Sequence, residues 1–433
     1  MTQGKQLSPF SVIHPDWIKD ATIYEVHIRQ FTKSGTFIEF IEHLPRLKAL
    51  GVDILWLMPI QPIGIKNRKG ALGSPYAIRD YVSINSELGT LDDLKLLINK
   101  AHQMGFYVIL DWVANHTAWD HIWIDQHPDF YTKNSNGDIV HPENTDWHDV
   151  ADLNFNNQNL RHEMIESLKY WIREADFDGF RCDMAGLVPT DFWEAARFEL
   201  DKLKPVFMLA EAEQLEMHYK AFDMTYNWAC HHLMNDIAKG AKSVGDLDAY
   251  FGTDPIYFPK NAIRLNFTSN HDENKNAGSA VERFGNSYKA FIVLTFTMPG
   301  SPLIFSGQEA GLNRRLQFFD KDEIDWASTL EYTPFFQSMI KLKKENPALW
   351  TGEKGGLMNR LYTNKIDKIF AFSRCKLNNL VVVVLNLSPE RQSFYLDINY
   401  SENNLKSFFT GEPIISDVLE LPPWGYNILL KGN

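Results

Sequence analysis

Four short motifs place polar, chemistry-bearing side chains at or just after the end of an apolar run. In chain order the motifs are DWVANH (111–116), GFRCD (179–183), LAE (209–211) and SNHD (269–272). Short apolar runs of this kind are typical of buried parallel strands. A barrel of such strands would gather the carboxylates of Asp183, Glu211 and Asp272 at one mouth. Convergent carboxylic acids are the groups that cleave glycosidic bonds.

The Arg181–Asp183 pair indicates a nucleophile. A retaining glycosidase needs an ionised carboxylate about 5–5.5 Å from a protonated carboxylic acid. We predict that Asp183 is the nucleophile, because Arg181 points to the same side of an extended strand and can hold it ionised. Taken alone, an Arg-x-Asp pair at a strand end is more often structural, and only its place among the four motifs favours catalysis.

Glu211 is the predicted general acid. Burial near other carboxylates would raise its pKa, as a proton donor requires. Glu213 lies on the same strand face and is the alternative, but Glu211 directly follows the apolar run. Asp272 would be a third acid that holds sugar hydroxyls and stabilises positive charge in the transition state.

Two histidines accompany the acids. His116 and His271 are predicted to donate hydrogen bonds to hydroxyls of the sugar ring that reacts. A single histidine at a strand end is more often structural. Two histidines, each inside a motif of the same set, favour substrate binding.

Composition narrows the class of partner. Of the 433 residues, 44% are hydrophobic and 23% are charged, as in a large globular protein. The net charge of −12 argues against nucleic acid or an anionic membrane and suits a neutral substrate such as an oligo- or polysaccharide. The three cysteines are widely spaced and are predicted to be buried packing residues. No organic cofactor is expected, and the sequence carries no signal of oligomeric state.

The segment MTQGKQLSPFSVIHPDW at the N-terminus has no apolar core of a signal peptide, and no apolar run is long enough to span a membrane. The cytoplasm is the expected location. A periplasmic or secreted location is the alternative if a signal peptide has been removed.

Eight apolar runs alternate with amphipathic stretches, such as 37–50 and 91–104, and predict a (β/α)₈ barrel. The runs are residues 23–28, 52–58, 106–110, 177–182, 206–210, 222–228, 263–268 and 303–305. Active sites of this fold lie at the carboxyl ends of the strands, where all four motifs fall.

The alternation of apolar runs and amphipathic stretches is interrupted at two places, and these interruptions define the predicted domains. Residues 112–158 are too long and irregular for a loop, and they predict a small subdomain inserted after the third strand. Short β-type runs follow from residue 345 and predict an all-β sandwich domain over 345–433. The barrel itself would then comprise residues 1–111 and 159–344.

The four motifs resemble those of the α-amylase family, glycoside hydrolase family 13, and in particular its bacterial enzymes. The segments IYEVHIRQF, GVDILWLMPI, SPYAIRDY, ADLNF, GSPLIFSGQEAGL and PWGY also resemble the family, so the likeness covers about residues 20 to 430. It implies retaining attack on an α-glucosidic bond, with Asp183 as nucleophile, Glu211 as acid and base, and Asp272 as stabiliser. The family's tyrosine under the scissile sugar corresponds to Tyr76.

The resemblance also implies a metal and includes a departure. Many family members hold a structural calcium ion, and Asn115 and Asp152 match two ligand positions, although both could simply cap the loop. Classic α-amylases carry Lys-His three and four residues after the nucleophile, where this chain has Gly186 and Leu187. The departure bears on endo-acting specificity and on calcium binding.

The predicted function is hydrolysis of starch-type α-1,4-glucans or malto-oligosaccharides. A transglycosidase that uses the same three acids is the alternative. A non-catalytic relative of the transporter-associated kind would have lost catalytic residues and gained a membrane helix. A generic phosphate-binding barrel would leave the four motifs unexplained.

Overall fold

Eight parallel strands form a closed barrel in the computed structural model, which describes residues 12–258, 261–326, 332–398 and 404–431. The strands are β1 (Ile23–Val26), β2 (Ile54–Leu57), β3 (Tyr107–Val113), β4 (Gly179–Asp183), β5 (Phe207–Ala210), β6 (Met224–Tyr226), β7 (Ile263–Phe267) and β8 (Ser301–Phe305). They pair in chain order, and Ile23 of β1 pairs with Leu303 of β8 to close the ring. The predicted (β/α)₈ barrel is confirmed.

Helices connect the strands. The α-helices are Ile28–Phe31, Phe37–Ile41, Leu44–Leu50, Leu91–Gln103, Trp123–Gln126, Gln158–Ala175, Thr190–Asp201, Met217–Lys220, Trp228–Ala238, Val244–Tyr257, His271–Asn276, Ala280–Phe284, Tyr288–Thr297 and Thr333–Glu345. Short 3-10 turns are Asp16–Asp20, Pro128–Phe130, Ala185–Leu187, Gly285–Ser287, Gln308–Ala310, Pro347–Leu349 and Gly352–Lys354. In the part of the chain that the structure describes, no helix has the length and apolar character needed to cross a membrane.

Local sequence sets the helix ends. Thr90 accepts a hydrogen bond from the backbone N–H of Asp93, whose carboxylate in turn accepts from that of Thr90, so this capping box starts the helix at Leu91. The amphipathic stretch over residues 37–50 is not one continuous helix. The structure has two helices there, because Pro45 lies in the first turn of the second and has no N–H to continue the first.

The interior of the barrel changes from apolar to polar toward one end. Ile109 of β3 and Leu209 of β5 belong to the buried interior cluster. Residues two apart share one face of a strand. Asp111 and Glu211 therefore continue the same inward columns as Ile109 and Leu209, and they reach the carboxyl-terminal mouth.

The chain between β3 and β4 lies beside this mouth. Two of its short segments, His116–Ala118 and Val150–Asp152, pair as antiparallel strands. Trp147 and Asp149, just before the second segment, border the mouth. The segment is thus built over the active-site end of the barrel, where a long insertion is expected to act on substrate.

After the barrel, the chain forms two packed sheets. The strands are β9 (Leu357–Arg360), β10 (Ile369–Lys376), β11 (Asn379–Asn386), β12 (Gln392–Phe394), β13 (Leu405–Ser407), β14 (Leu419–Leu421) and β15 (Tyr426–Lys431). One sheet has the order β9-β10-β11-β15-β13, and β12 pairs with β14. Side chains of both sheets share one buried cluster, so the predicted all-β architecture is confirmed.

Cysteine burial differs from the prediction at one position. Cys182 and Cys230 are buried, but Cys375 is exposed. Cys375 lies near the end of β10, where the burial of that strand's residues stops. The interpretation of all three cysteines as packing residues is therefore wrong for Cys375.

A buried lysine joins the last barrel helix to the chain that follows. The side chain of Lys343 is completely buried, and its Nζ donates hydrogen bonds to the carbonyls of Gly300 at 3.0 Å and Leu349 at 2.9 Å. Burial lowers the pKa of Lys343 to about 7, with a further contribution from the Arg374 guanidinium. An unfolded lysine keeps its proton to about pH 10.4.

The Lys343→Met variant should lose a pH dependence of stability. Between about pH 7 and 10 the unfolded chain binds more protons than the folded one, so the free energy of unfolding rises with pH. From pH 7 to 9 the wild type should gain about 2 kcal/mol relative to Lys343→Met, measured by denaturant unfolding. The control is Lys341→Met, since Lys341 on the same helix is 69% exposed. Parallel pH profiles in the wild type and Lys343→Met would contradict the idea.

Candidate active site

One pocket at the barrel mouth brings together six of the seven predicted catalytic and binding residues. They are Tyr76, His116, Asp183, Glu211, His271 and Asp272. The seventh, Arg181, is completely buried beneath them. The carboxyl ends of different strands supply these side chains, so residues far apart in sequence meet at one place.

Arg181 is the centre of the ion network. Its Nη1 lies 2.9 Å from Asp111 Oδ1 and 2.9 Å from Asp183 Oδ1, while Nη2 lies 2.8 Å from Glu211 Oε2. Its Nε donates to the hydroxyl of Tyr226 at 3.2 Å. The predicted contact of Arg181 with Asp183 is present, and the same guanidinium also contacts the predicted acid.

Two of the three carboxyls that contact Arg181, those of Asp183 and Glu211, have raised pKa values. Burial raises the pKa of Asp183, and the negative charge of Glu211 raises it further, while Arg181 opposes both. Burial also raises the pKa of Glu211, again against Arg181 and with the Asp272 charge adding to the rise. We therefore expect the pair to release its last proton at a higher pH than ordinary carboxyls do.

The residue after Asp183 adopts a strained conformation that serves this pair. Met184 has φ 43° and ψ 39°, in the left-handed region that residues with a side chain seldom adopt. Its N–H donates to Glu211 Oε2 at 2.8 Å. The turn that ends β4 thus orients the carboxyl of Glu211 with a backbone donor.

His271 is held between two carboxylates. Its Nδ1 contacts Glu25 Oε1 at 2.5 Å, and its Nε2 lies 3.3 Å from Asp272 Oδ2. Burial opposes a charged ring, but the two carboxylates prevail and raise the pKa of His271 well above its ordinary value. His271 in turn lowers the pKa of Asp272, whose side chain is 36% exposed at the pocket.

Tyr76 forms the floor of the pocket. Its hydroxyl donates to Asp111 Oδ2 at 2.8 Å and lies 2.9 Å from His271 Nε2. Its ring stacks beside those of His271 and Phe318, with interplanar angles of 19° and 9°. Tyr76, the aromatic residue predicted to lie under the sugar, is therefore held in place beside the acids of the pocket.

His116 is a neutral donor and acceptor. Its ring is buried, 5.5 Å from that of Trp147. Burial lowers the pKa of His116 to about 4, with Asp149 opposing, so the ring is uncharged near neutral pH. A neutral imidazole can donate to one sugar hydroxyl without adding charge.

The alternative acid, Glu213, is engaged elsewhere. Its Oε1 lies 2.6 Å from Nη2 of Arg264 and accepts from the N–H of Ala229 at 3.2 Å. Glu213 lies outside the pocket that holds Asp183. This arrangement favours Glu211 as the acid.

Asn115 and Asp152, the predicted calcium ligands, would supply only part of the ion's coordination. Asp152 lies opposite His116 in the antiparallel strand pair, and the amide nitrogen of Asn115 lies 3.3 Å from the ring of His116. Burial raises the pKa of Asp152. The described ranges contain no group of three or more carboxylate, histidine or cysteine side chains arranged for a metal. Calcium takes about six to eight oxygens, so calcium stays a prediction of the resemblance.

Sequence reasoning missed Glu25, which orients His271. Glu25 is completely buried in the centre of β1. The available signal was a carboxylate inside the apolar run IYEV, since a buried charge needs a partner. It also missed the rim residues Lys69, Trp147, Phe318 and Phe319, which gave no pattern in the sequence.

Comparison with known proteins gives one consistent result. The model of the α-amylase catalytic domain matches residues 12–148 and 143–362. The chain is 30% identical over 394 residues to the α-amylase MalA of Haloarcula japonica, covering 87% of this chain and 56% of that protein.

Two solved structures share the whole fold. An α-amylase from Lactobacillus plantarum has a TM-score of 0.86 at 30% identity, covering 95% of this chain and 99% of the other. A noncanonic maltogenic α-amylase from Thermotoga neapolitana has a TM-score of 0.83 at 30% identity, covering 96% and 97%. The barrel holds Asp183 and Glu211 on one arginine, and the family model matches most of the chain. This chain therefore belongs to the α-amylase family.

Proposed function

We propose that this protein is a retaining glycoside hydrolase that cleaves α-1,4 bonds of starch-type glucans or malto-oligosaccharides. The observation that carries the proposal is the contact of Asp183 and Glu211 with two nitrogens of the same Arg181 guanidinium. Such contacts favour closely spaced carboxyls, as in retaining enzymes, whereas inverting enzymes separate theirs to admit a water.

In the first step, an oxygen of Asp183 attacks the anomeric carbon and the bond to the leaving oxygen breaks. Glu211 gives its proton to that oxygen, which leaves as an alcohol. The raised pKa of the buried Glu211 carboxyl suits this role. Asp272 and the charged His271 hold hydroxyls of the same sugar while positive charge develops on its ring.

In the second step, water replaces the leaving sugar beside Glu211. Glu211, now a carboxylate, takes a proton from the water, whose oxygen attacks the anomeric carbon and releases Asp183. A sugar hydroxyl in place of water would give transglycosylation with the same residues.

A product time course with maltoheptaose tests the proposal, with Asp183→Asn protein as the blank. Hydrolysis should yield only shorter sugars, all of them absent from the blank. Products longer than the substrate would make the enzyme a transglycosidase. No change in maltoheptaose or any other maltodextrin would refute the assignment to α-1,4-glucans.

A further inference from the structure

The cavities on the two sides of Glu211 differ in size. Glu211 and Met184 line both the active-site pocket and a neighbouring groove, which is the larger and more open of the two. The groove contains Gly186, Leu187 and Trp228. A continuous cleft for a long glucan would instead be similarly open on both sides.

Glu211 marks the position of the bond that breaks. If the proposed function holds, this residue protonates the bridging oxygen, so the sugar that is attacked lies in the pocket with Asp183 and Asp272. The leaving part of the chain then lies in the groove. The pocket is therefore the non-reducing side of the substrate.

One part of the pocket wall is an ion pair. Lys69 lies in the loop after β2, and its Nζ lies 2.9 Å from Asp149 Oδ1 and donates to the carbonyl of Asp146 at 3.1 Å. Asp149 is nearly buried, with a side chain 7% exposed. These contacts fasten the loop after β2 to the inserted segment at the pocket rim.

A second part of the wall joins the same loop to the loop after β8. The N–H of Leu72 donates to the carbonyl of Phe319 at 3.0 Å, and that of Ala71 donates to Asp320 Oδ1 at 3.0 Å. A Cβ on Gly70 would lie only 2.5 Å from Cβ of Phe319, so the two loops are in direct contact. Lys275 adds its ammonium 4.8 Å from the Phe319 ring.

We infer that this wall ends the glycone site, so that the enzyme removes glucose or maltose from non-reducing ends. Lys69, Asp149 and Phe319 line the pocket but not the groove, so the loops that they join would lie where the preceding sugars of a long chain must pass. The open groove accepts leaving chains of any length. The substrate class is thus maltodextrins with free non-reducing ends, and interior bonds are cleaved poorly.

Two aryl maltoheptaosides test this inference, one with a free non-reducing end and one with that end blocked by a 4,6-O-ethylidene group. The wild type should cleave the blocked substrate about 100-fold more slowly than the free one. Its first products from the free substrate should be glucose or maltose. Comparable rates on both substrates, or early products of three to five sugars, would overturn the inference while leaving the proposed function in place.

Opening the wall gives an independent measurement. The double variant Lys69→Ala/Phe319→Ala removes two side chains that line the pocket and leaves the backbone contacts between the loops in place. It should narrow the ratio between the free and blocked substrates by about 10-fold. The control is Lys66→Ala on the same loop, since Lys66 lies over Trp119 and not at the pocket. A ratio that stays at the wild-type value in a folded double variant would overturn the role of the wall. No cleavage of either substrate by the wild type would refute the proposed function, and this inference with it.

Discussion

Asp183→Asn should lower kcat by about 10⁴-fold or more and leave maltohexaose binding nearly unchanged. The amide has the size of the carboxylate, and its oxygen can still accept the hydrogen bond from Arg181 Nη1. It is too weak a nucleophile to form the glycosyl-enzyme. Because the buried guanidinium keeps Asp111 and Glu211 as partners, the fold should persist.

Single-turnover kinetics and calorimetric titration would separate these two effects. The matched control is Asp191→Asn, because Asp191 is 70% exposed and pairs with Arg161 on the surface. Azide added to an Asp183→Ala protein should restore turnover and yield the β-glycosyl azide, since the anion attacks from the side that the shorter side chain leaves open. Activity within about tenfold of the wild type would refute Asp183 as the nucleophile.

Glu211→Gln should slow substrates with poor leaving groups by about 10²–10⁴-fold and affect activated ones far less. The amide cannot give a proton to a departing sugar hydroxyl. Its oxygen can still accept the hydrogen bond that the N–H of Met184 donates to Glu211 Oε2 in the wild type. Departure of fluoride from an α-maltosyl fluoride needs little protonation, so its cleavage should persist.

Rates on maltoheptaose and on α-maltosyl fluoride would be measured for Glu211→Gln and for the matched Glu213→Gln. Azide should rescue the second step of Glu211→Gln and give the α-glycosyl azide, because the intermediate on Asp183 still forms. Equal losses on both substrates would argue against Glu211 as the acid. A leaving-group dependence in Glu213→Gln would transfer the role to that residue, which now pairs with Arg264.

The buried pair also predicts the direction of the acidic limb of activity. Because burial raises the pKa of Asp183 and Glu211, loss of the nucleophilic carboxylate on acidification should begin at a higher pH than for ordinary carboxyls. Activity falls as the second proton is taken up. The apparent pKa of this acidic limb is a property of the Asp183–Glu211 pair and cannot be assigned to one residue.

The sequence alone predicted the barrel, the all-β region after it and the meeting of the three acids in one pocket. The physical reason is periodicity. Apolar runs mark buried parallel strands, and the carboxyl ends of such strands meet at one mouth. Asp183, Glu211 and Asp272 therefore had to converge, whatever the details of packing. The two-residue period likewise placed Arg181 beside Asp183.

Where local and long-range signals differ, the sequence was a weaker guide. The apolar pattern over residues 37–50 did not indicate that the helix is interrupted before Pro45. The spacing of apolar residues does not show where a backbone N–H is missing. Cys375 was expected to be buried, but its exposure depends on how far the packed core extends along β10.

Only the tertiary structure decided how the acids are held and what surrounds them. Glu25 reaches His271 across 246 positions of the chain, and one guanidinium joins three carboxylates from separate strands. The Lys69–Asp149 pair and the Gly70–Phe319 contact depend on how three loops meet above the barrel. Periodicity fixes where a strand ends, but loop contacts arise from packing between segments distant in sequence, which no local pattern encodes.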